Sequence, residues 1–373
     1  MPDTPVAHSA LAELTSLLEE ASTRWASEEW NLTTPEDHAS ARRALMHILQ
    51  GGLVGYFETD PARPDFRPIV RSYRKFTGDN ADALYFDAPV SSEYEYVVRG
   101  RTDGAVYTSF TVELNSADGS LANESAGVIN DDDFDVDAEG RFEIRLGGEK
   151  ADRSWLELPL GASRITTRHY WEDERCAAAD PTKNPLLTIE VVGGPAVGPP
   201  PPITDESVAE GIHKVVQFVR ARTLDMAPMT DGDPPPFVSK VPNQFPKPVV
   251  PGDFGLSAID AHYSMAPYLC PEGHAVVMTG RWPECRMANV NLWNRQMQTF
   301  DYVNRQVSLN RKQTHLESDG SWRMVIAHED PGVPNWLDTE GRMIGIVFFR
   351  YMLATGEVVT PQAEVVPLDQ LRG

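Results

Sequence analysis

The stretch that decides the fold is ESDGSWRMVIAHEDPGVPNWLDTEGRMIGIVFFRY, residues 317–351. A turn at 318–320 precedes an alternation of apolar and polar residues at 322–326. A second turn at 330–332 is followed by an apolar run at 344–349. Alternation with a period of two, bounded by Gly, Pro and Asp, is typical of β-strands joined by turns. We therefore predict that this stretch forms consecutive strands of a β-rich unit.

The same pattern occurs earlier in the chain, in AEGRFEIRLGGEKADRSWLELPLGASRITTRHY, residues 138–170. The two stretches share four pairs of residues: Gly140 and Gly320, Trp155 and Trp336, Leu156 and Leu337, and Tyr170 and Tyr351. The glycines are 180 positions apart (320 − 140), and the other pairs are 181 apart (for example 336 − 155). A nearly constant offset indicates two copies of one structural unit. We expect both tryptophans at equivalent, mostly buried positions.

The composition is that of a globular protein with an acidic surface. The chain has 373 residues, which suffices for two domains with sizeable cores. Its 55 Asp and Glu residues against 33 Lys and Arg residues give a formal charge of −22. Such a surface repels phosphate backbones and anionic membrane faces. We therefore expect neither a nucleic acid nor a membrane as a partner.

Two further features of the sequence favour the cytoplasm. The N-terminus lacks the basic and continuous apolar regions of a signal peptide, and no apolar run approaches the length of a membrane span. The three cysteines, Cys176, Cys270 and Cys285, are odd in number and form no CxxC pair. This usage fits a reducing compartment. We expect a cytoplasmic protein.

The patterns along the chain predict a mainly β protein with α-helical additions. It consists of two antiparallel jelly-roll-like β-sandwich domains built on a repeated unit, with N-terminal helices and a linking helix. The predicted segments are an N-terminal helical segment at 1–60, a first β-sandwich domain at 61–194, a Pro-rich linker at 195–203, a linking helix at 204–226, a Pro-rich crossover at 227–258 and a second β-sandwich domain at 259–373.

No motif in the sequence predicts a metal or a cofactor. The acidic run at 131–137 resembles a calcium loop, but Leu146 stands where such a loop needs a bidentate Glu. A solvated turn is the favoured interpretation of this run. The spacing of Cys270, His274 and Cys285 is looser than in most zinc sites. Nucleotide-binding and zinc-protease signatures are absent from the sequence, so we expect no cofactor.

Cationic and aromatic residues form the candidate site of this acidic protein. His328 and Asp330, which flank one turn, are predicted as a catalytic acid/base pair. The predicted ligand-binding residues are Arg281, Arg286, Trp293, Asn294, Trp336 and Arg350 in the second domain and Arg74, Asp79 and His169 in the first. Arg suits planar carboxylates and stacks on aromatic rings. We predict a pocket lined mainly by the second domain, where Arg281, Trp293, His328 and Arg350 reach one ligand.

A structural interpretation of the same residues remains open at this point. Each guanidinium can pair with one of the surplus acids, and the Trp and Tyr rings can fill sandwich cores. His328 can satisfy a neighbouring carbonyl, and Asp330 can cap Gly332. Burial of His328 and Asp330 in a cavity would favour catalysis, whereas a place on an open turn would favour binding or a scaffold role.

Several of these motifs resemble a bacterial family, the domain of unknown function 1214 (DUF1214). The matching residues are Arg74-Lys75, Gly78-Asp79-Asn80 and Arg168-His169-Tyr170 in the first half and Cys285-Arg286, Leu292-Trp293-Asn294, Val307-Ser308-Leu309-Asn310, the run at 327–339 from Ala327-His328 to Asp338-Thr339, and Arg350 in the second half. The resemblance implies a jelly-roll-like β-sandwich fold and a bacterial catabolic setting. It implies no mechanism, because the family is named for lacking one.

The sequence thus predicts a cytosolic, metal-independent enzyme. A hydrolase or lyase is expected, acting on a partly apolar small molecule with polar or anionic groups. The alternative is a non-catalytic protein that binds a small ligand or serves as a scaffold. In both cases a small molecule is the expected partner, and a homo-oligomer is a possible assembly.

Overall fold

The computed structural model describes residues 5–122, 124–226, 233–252 and 260–371. The predicted crossover at 227–258 lies partly outside these described residues. The predicted linker at 195–203 is exposed at every position. Within the described residues, no helix is both long enough and apolar enough to cross a membrane.

Three α-helices form one layer of the molecule. They are α1 (Val6–Thr23), α2 (Pro35–Gly52) and α3 (Asp205–Ala221). Thr34 caps α2 by accepting a hydrogen bond from the Asp37 N–H, and Thr204 forms a capping box with Ser207 at the start of α3. The apolar stripes of the three helices share one core. The linking helix therefore packs onto the N-terminal helices, which are distant from it in sequence.

The first β-sandwich contains nine strands in two sheets. The strands are β1 (Arg67–Pro68), β2 (Ala83–Pro89), β3 (Glu95–Arg101), β4 (Tyr107–Leu114), β5 (Ser125–Asn130), β6 (Arg141–Leu146), β7 (Trp155–Leu156), β8 (Ala162–Tyr170) and β9 (Thr188–Gly193). One sheet has the order β1-β2-β8-β4-β5, and the other has the order β7-β6-β3-β9. Rings such as Phe110 and Phe142 fill the core between them.

The second β-sandwich contains eight strands in the part of the chain that the structure describes. They are β10 (Ala261–Leu269), β11 (His274–Gly280), β12 (Met287–Trp293), β13 (Ser308–Asn310), β14 (Trp322–Ala327), β15 (Trp336–Asp338), β16 (Ile344–Met352) and β17 (Gln362–Pro367). Their sheets have the orders β10-β16-β12-β13 and β15-β14-β11-β17. Apart from β1, each strand of the first sandwich has a counterpart at the same place in the second. The two sandwiches are copies of one unit, as the sequence predicts.

The two tryptophans of the repeat occupy equivalent positions. Trp155 donates its indole N–H to the Gly147 carbonyl at 2.9 Å, and Trp336 donates its indole N–H to the Ala327 carbonyl at 3.1 Å. Both lie on short strands that pair in parallel with their neighbours, and both rings are partly exposed. The prediction that both rings are mostly buried is therefore wrong. Each ring covers the edge of a sheet and keeps part of its surface in contact with solvent. Trp322, which is 1% exposed, fills the second core instead.

The register of the strands corrects one predicted equivalence. Ala83, the first residue of β2, pairs with Tyr170, whereas Ala261, the first residue of β10, pairs with Met352. Tyr170 is therefore equivalent to Met352 and not to Tyr351, and the offset in these strands is 182 (352 − 170). The chain gains one residue in the loop before β16 relative to the loop before β8.

The two sandwiches pack together through the outer faces of the β1-β2-β8-β4-β5 sheet and the β10-β16-β12-β13 sheet. Tyr107 and Tyr170 from the first copy meet Met265 and Phe348 from the second in a shared apolar cluster. The described part of the crossover covers the free edge of β10, where the Met265 N–H donates to the Phe237 carbonyl at 2.8 Å. The polar residues on these two facing sheets are therefore enclosed between the two copies.

Candidate functional site

A cavity of about 100 Å³ lies where the helical layer meets both sandwiches. Its walls come from the end of α2, the end of α3, the segment at 68–79, and the facing sheets of the two copies. The charged residues that line it are Arg74, Asp79, Asp87, Glu113, Arg164, Arg168, Arg222 and Arg350. This is less than the apolar cavity of about 150 Å³ that holds a benzene molecule, so the space suits a group of only a few heavy atoms.

Positive side chains outnumber negative ones in the cavity wall. Five arginines face three carboxylates. Arg164 forms an ion pair with Asp87 and donates to the Gly55 carbonyl at 2.6 Å. Glu113 accepts a hydrogen bond from the Thr166 hydroxyl at 2.6 Å, and burial raises the pKa of its carboxyl group. A protonated Glu113 would increase the positive excess further.

Arg350 lies at the centre of the aromatic part of the wall. It is 5% exposed, and it donates hydrogen bonds to the phenol oxygens of Tyr85, at 3.1 Å, and Tyr170. Its guanidinium carbon lies 5.2 Å from the centroids of the Tyr263 and Phe348 rings. In the described part of the chain, its Nε has no hydrogen-bond partner and no ion pair joins it to a carboxylate. This guanidinium is buried among rings and hydroxyl groups.

Arg168 is the counterpart of Arg350 in the first copy. Arg168 pairs in register with Tyr85 of β2, as Arg350 pairs with Tyr263 of β10. Arg168 donates to the Thr111 hydroxyl at 2.8 Å. Both arginines point away from their own sandwich cores into the space between the copies. The repeat thus brings one arginine from each copy to the same cavity.

Arg222 closes the cavity on the side of the helices. It follows the last turn of α3 and donates to the carbonyls of Gly119, at 3.0 Å, and Phe218, at 3.3 Å. Its guanidinium carbon lies 3.8 Å from the centroid of the Phe218 ring. Burial lowers the pKa of this group, and its Nε has no hydrogen-bond partner among the described residues. Arg222 is a second buried cation at the wall.

Arg74 and Asp79 are the predicted first-domain residues that line the central cavity. Arg74 donates to the carbonyls of Pro68 and Ile69, the latter at 3.3 Å. Asp79 accepts the Thr299 N–H at 2.7 Å and the Thr299 hydroxyl at 2.5 Å. Burial raises the pKa of the Asp79 carboxyl group. Asp79 therefore ties the cavity segment to the second sandwich.

The predicted acid/base pair does not lie in this cavity. His328 bonds through Nδ1 with the Thr339 hydroxyl at 2.6 Å and through Nε2 with the Cys270 carbonyl at 2.9 Å. Asp330 is exposed and caps the Gly332 N–H at 2.8 Å. Both ring nitrogens of His328 are thus bonded to residues outside the turn, and the Asp330 carboxylate caps the open turn itself. The geometry gives these two residues a structural role.

The predicted grouping of His328 with Arg350 is also wrong. His328 bonds the carbonyl of Cys270, which follows Leu269, and Leu269 pairs with Ile344. Arg350 lies six residues further along β16 (350 − 344). At roughly 3.3 Å per residue, this separates the two sites by about 20 Å. One small ligand cannot contact both side chains.

Three more predicted ligand-binding residues lie elsewhere on the surface. Arg281 is exposed and donates to the Asp319 carbonyl at 2.7 Å, across the turn that begins β14. Arg286 forms ion pairs with Asp131, at 2.9 Å, and Asp132, at 2.6 Å, which links the two copies. Trp336 covers a sheet edge, as described above. The prediction that these residues share a pocket is wrong.

The remaining predicted residues are buried and satisfied. The His169 ring contacts Phe110 in the core of the first copy, and burial lowers its pKa to about 3. Trp293 stacks on Phe348 with centroids 4.3 Å apart and donates to the Asp79 carbonyl at 2.8 Å. Asn294 shapes a turn by accepting the Gln298 N–H at 3.0 Å. These contacts position the cavity wall without lining it.

The sequence contained one signal for the residues that were missed. Arg164, Thr166, Arg168 and Tyr170 alternate along β8, so one polar face of this strand carries two arginines. A polar face of a strand is usually exposed to water. Here the helical layer covers the Arg164 end of this face and the second copy covers the Tyr170 end, which no local pattern reveals. The chemistry of the cavity therefore depends on domain packing.

The acidic run at 131–137 is an ion-paired turn. Asp131 and Asp132 contact Arg286, Asp135 contacts Arg153 at 2.9 Å, and Asp137 contacts Arg141 at 2.7 Å. Across the ranges that the structure describes, no three His, Cys, Asp or Glu side chains are grouped so that they could hold a metal ion.

Comparisons with known proteins establish the fold. No family profile and no curated protein matches the chain. Among solved structures, an uncharacterized protein from Burkholderia cenocepacia is similar to it, with a TM-score of 0.82, 24% sequence identity, and 97% of both chains covered. A protein from Vibrio parahaemolyticus has a TM-score of 0.48 and 13% identity, over 78% of this chain and 91% of that chain. The first likeness shows that the whole fold, with its two sandwiches and helices, also occurs in the Burkholderia cenocepacia protein.

Proposed function

We propose that this chain binds a small organic anion, namely a carboxylate, in the central cavity. The observation that carries the proposal is the environment of Arg350. A buried guanidinium with no acidic partner is unfavourable by several kcal/mol, because its hydration is lost and no opposite charge replaces it. A carboxylate supplied by a ligand would accept two parallel hydrogen bonds from the guanidinium fork.

The other residues of the wall fit the same class of ligand. Five guanidiniums and three carboxylates leave a positive excess inside a protein of net charge −22. Low-dielectric walls focus such a field, so the cavity attracts anions despite the acidic exterior. The rings of Tyr85, Tyr170 and Tyr263 offer apolar surface beside the cations. A partly apolar carboxylate is complementary to both the guanidiniums and the aromatic rings of the cavity wall.

Calorimetric titration with acetate, butyrate and benzoate tests the proposal. We expect heat of binding for the intact chain and at least a tenfold loss of affinity in Arg350→Met, because a charge-assisted hydrogen bond contributes about 1.5–3 kcal/mol. Arg281→Met is the matched control, since Arg281 is exposed and lies outside the cavity. Equal affinities in the two variants would overturn the proposal.

A second candidate function is catalysis at the same cavity. Glu113 favours it, since it is a buried carboxyl group with a raised pKa beside the Thr166 hydroxyl. A buried carboxyl group whose pKa is raised can act as a general acid or base. A hydrolase or lyase acting on a partly apolar carboxylate fits this arrangement. The acid/base role then belongs to Glu113 and not to His328.

Proton NMR of mixtures with hydroxycarboxylates and carboxylate esters distinguishes the two functions. Turnover that is lost in Glu113→Gln, with carboxylate binding retained, supports an enzyme. Binding without turnover in the intact chain supports a ligand-binding protein.

The predicted cytoplasmic location, a possible homo-oligomer and the resemblance to the DUF1214 family remain predictions beside this proposal. The free cysteines Cys176 and Cys270, both buried, fit a reducing compartment.

A further inference from the structure

A second space of about 350 Å³ borders the central cavity. Its lining includes two tryptophans and several aliphatic side chains, among them Trp25, Trp30, Met297, Ile344 and Ile346. We call it the apolar groove. It lies between the helical layer, the described crossover and the start of β16. Its volume exceeds that of the central cavity, so it can take a larger part of a ligand.

The apolar groove and the central cavity share a wall. Thr77 and Arg222 line both spaces. The Gly78 N–H donates to the Met297 carbonyl at 2.8 Å, which joins a residue of the cavity to a residue of the groove. Arg222 is a long side chain held by two backbone carbonyls and one ring. Arg222 thus forms a side-chain boundary between the two spaces.

We infer that the two spaces form one site for an amphipathic carboxylate. The carboxylate lies between Arg350 and Arg222, and the hydrocarbon chain passes Thr77 into the apolar groove. This inference rests on the proposed function, because it needs the carboxylate end in the central cavity. It adds the class of ligand: a carboxylic acid with a hydrocarbon chain longer than the central cavity can enclose.

Charge and burial in the two spaces favour this orientation. Arg222 and Arg350 are 6% and 5% exposed, and neither has an acidic partner among the described residues. The apolar groove offers rings and aliphatic side chains, which gain from each methylene group that leaves water. Lys240 and Arg295 also line the groove, but Lys240 is exposed and Arg295 is partly exposed, whereas the cations of the central cavity are buried. The buried indole N–H of Trp30 has no hydrogen-bond partner in the described ranges. An apolar groove beside the buried guanidiniums of Arg222 and Arg350 is complementary to an amphipathic anion.

Calorimetric titration with straight-chain carboxylates from acetate to decanoate tests the inference on the full chain. Each methylene that enters the apolar groove should raise affinity roughly fourfold, until the groove is filled. Ile344→Glu places a charge in the groove and should remove this dependence on length, with acetate affinity unchanged. Met226→Glu, at another position of the groove, should act in the same way.

Met343→Glu is the matched control, because Met343 is 50% exposed and precedes Ile344 without lining the groove. It should keep the dependence on chain length. If short acids bind through Arg350 but affinity does not increase with length, the groove inference is overturned and the proposed function stands. If no acid binds with a dependence on Arg350, both are overturned. A length dependence that both groove variants preserve also overturns the inference.

Discussion

The two sandwiches have the same strand order, yet equivalent positions carry different chemistry. Arg168 and Arg350 occupy the same register position and meet in one cavity. Arg168 donates to the Thr111 hydroxyl, whereas Arg350 lies among phenols and rings. Duplication therefore explains where each arginine lies, and the neighbouring residues determine what each one can bind.

The carboxylates before β2 and β10 show the same relation. The Asp82 carbonyl accepts the Trp171 N–H at 3.0 Å, and the Asp260 carbonyl accepts the Leu353 N–H at 2.9 Å, so the two aspartates are equivalent. Each reaches the other copy, since Asp82 accepts from Asn289 at 2.7 Å and Asp260 accepts from the Tyr107 hydroxyl. The contact between copies is thus approximately reciprocal.

The largest expected effect is on stability, and it distinguishes the buried Trp322 from Trp336, the second-copy member of the repeated pair. Trp322→Ala should lower the free energy of unfolding by about 3–5 kcal/mol, because it leaves a cavity beside the stacked Phe349 ring. Trp336→Ala should cost only about 1–2 kcal/mol, since its ring is partly exposed. Urea unfolding followed by circular dichroism measures both. Equal losses would contradict the assignment of the core.

The next effect concerns the pH dependence of the contact between the copies. Burial raises the pKa of Asp82 from 3.8 to about 7. The folded state then holds a proton that the unfolded state releases, so stability is complete below about pH 4 and falls as the pH rises to about 7. The total loss is on the order of 4 kcal/mol. Asp82→Asn should reduce this slope in urea unfolding between pH 4 and 8, while the carboxyl groups of Asp79 and Glu113, whose pKa values burial also raises, keep their own contributions.

Asp260→Asn is the control for this measurement, because Asp260 is equivalent in position and only partly buried. It should retain the slope of the unmodified protein. If both variants reduce the slope of stability against pH equally, the slope does not report the titration of Asp82. If neither variant reduces it, burial does not raise the pKa of Asp82 in the folded protein.

A third prediction sharpens the comparison of the two arginines. Arg350→Met should reduce carboxylate affinity tenfold to a hundredfold and leave the melting temperature unchanged or higher, because it removes a buried cation without an acidic partner. Tyr85 and Tyr170 retain their mutual hydrogen bond at 3.2 Å in this variant. Arg168→Met should reduce affinity less than tenfold. The reverse order of effects would assign the recognition role to the first copy.

The fold could be predicted because its determinants are local and repeated. Alternation in Trp322–Ala327 predicts a strand wherever the strand packs, and Thr34 and Thr204 mark helix starts by their own hydrogen bonds. The duplication was detectable because Trp155 and Trp336 hold equivalent sheet edges. Such features need no knowledge of the partner surface.

The site could be predicted only in part, because it forms between elements that are distant in sequence. Arg74, Asp79 and Arg350 were named from their residue type and neighbours, and all three line the cavity. Arg222 was missed, since it follows a helix whose other residues form an ordinary apolar stripe. His328 was overvalued because a His near two acids suggests acid/base chemistry, whereas its partners Thr339 and Cys270 are not adjacent in sequence.

The smallest expected effect concerns His328, for which we expect a role in stability and none in ligand binding. The equivalent of His328 in the first copy is Gly148, since the preceding residues Ala327 and Gly147 accept the same indole hydrogen bond. The bridge from His328 to Thr339 is thus an addition of the second copy that ties a turn to the sheet. His328→Ala should lower the free energy of unfolding by about 1–2 kcal/mol, because it leaves buried polar groups without partners, and it should not change carboxylate affinity. A loss of affinity with unchanged stability would return His328 to the site and would place the ligand in the second copy, away from the arginines that the two copies share.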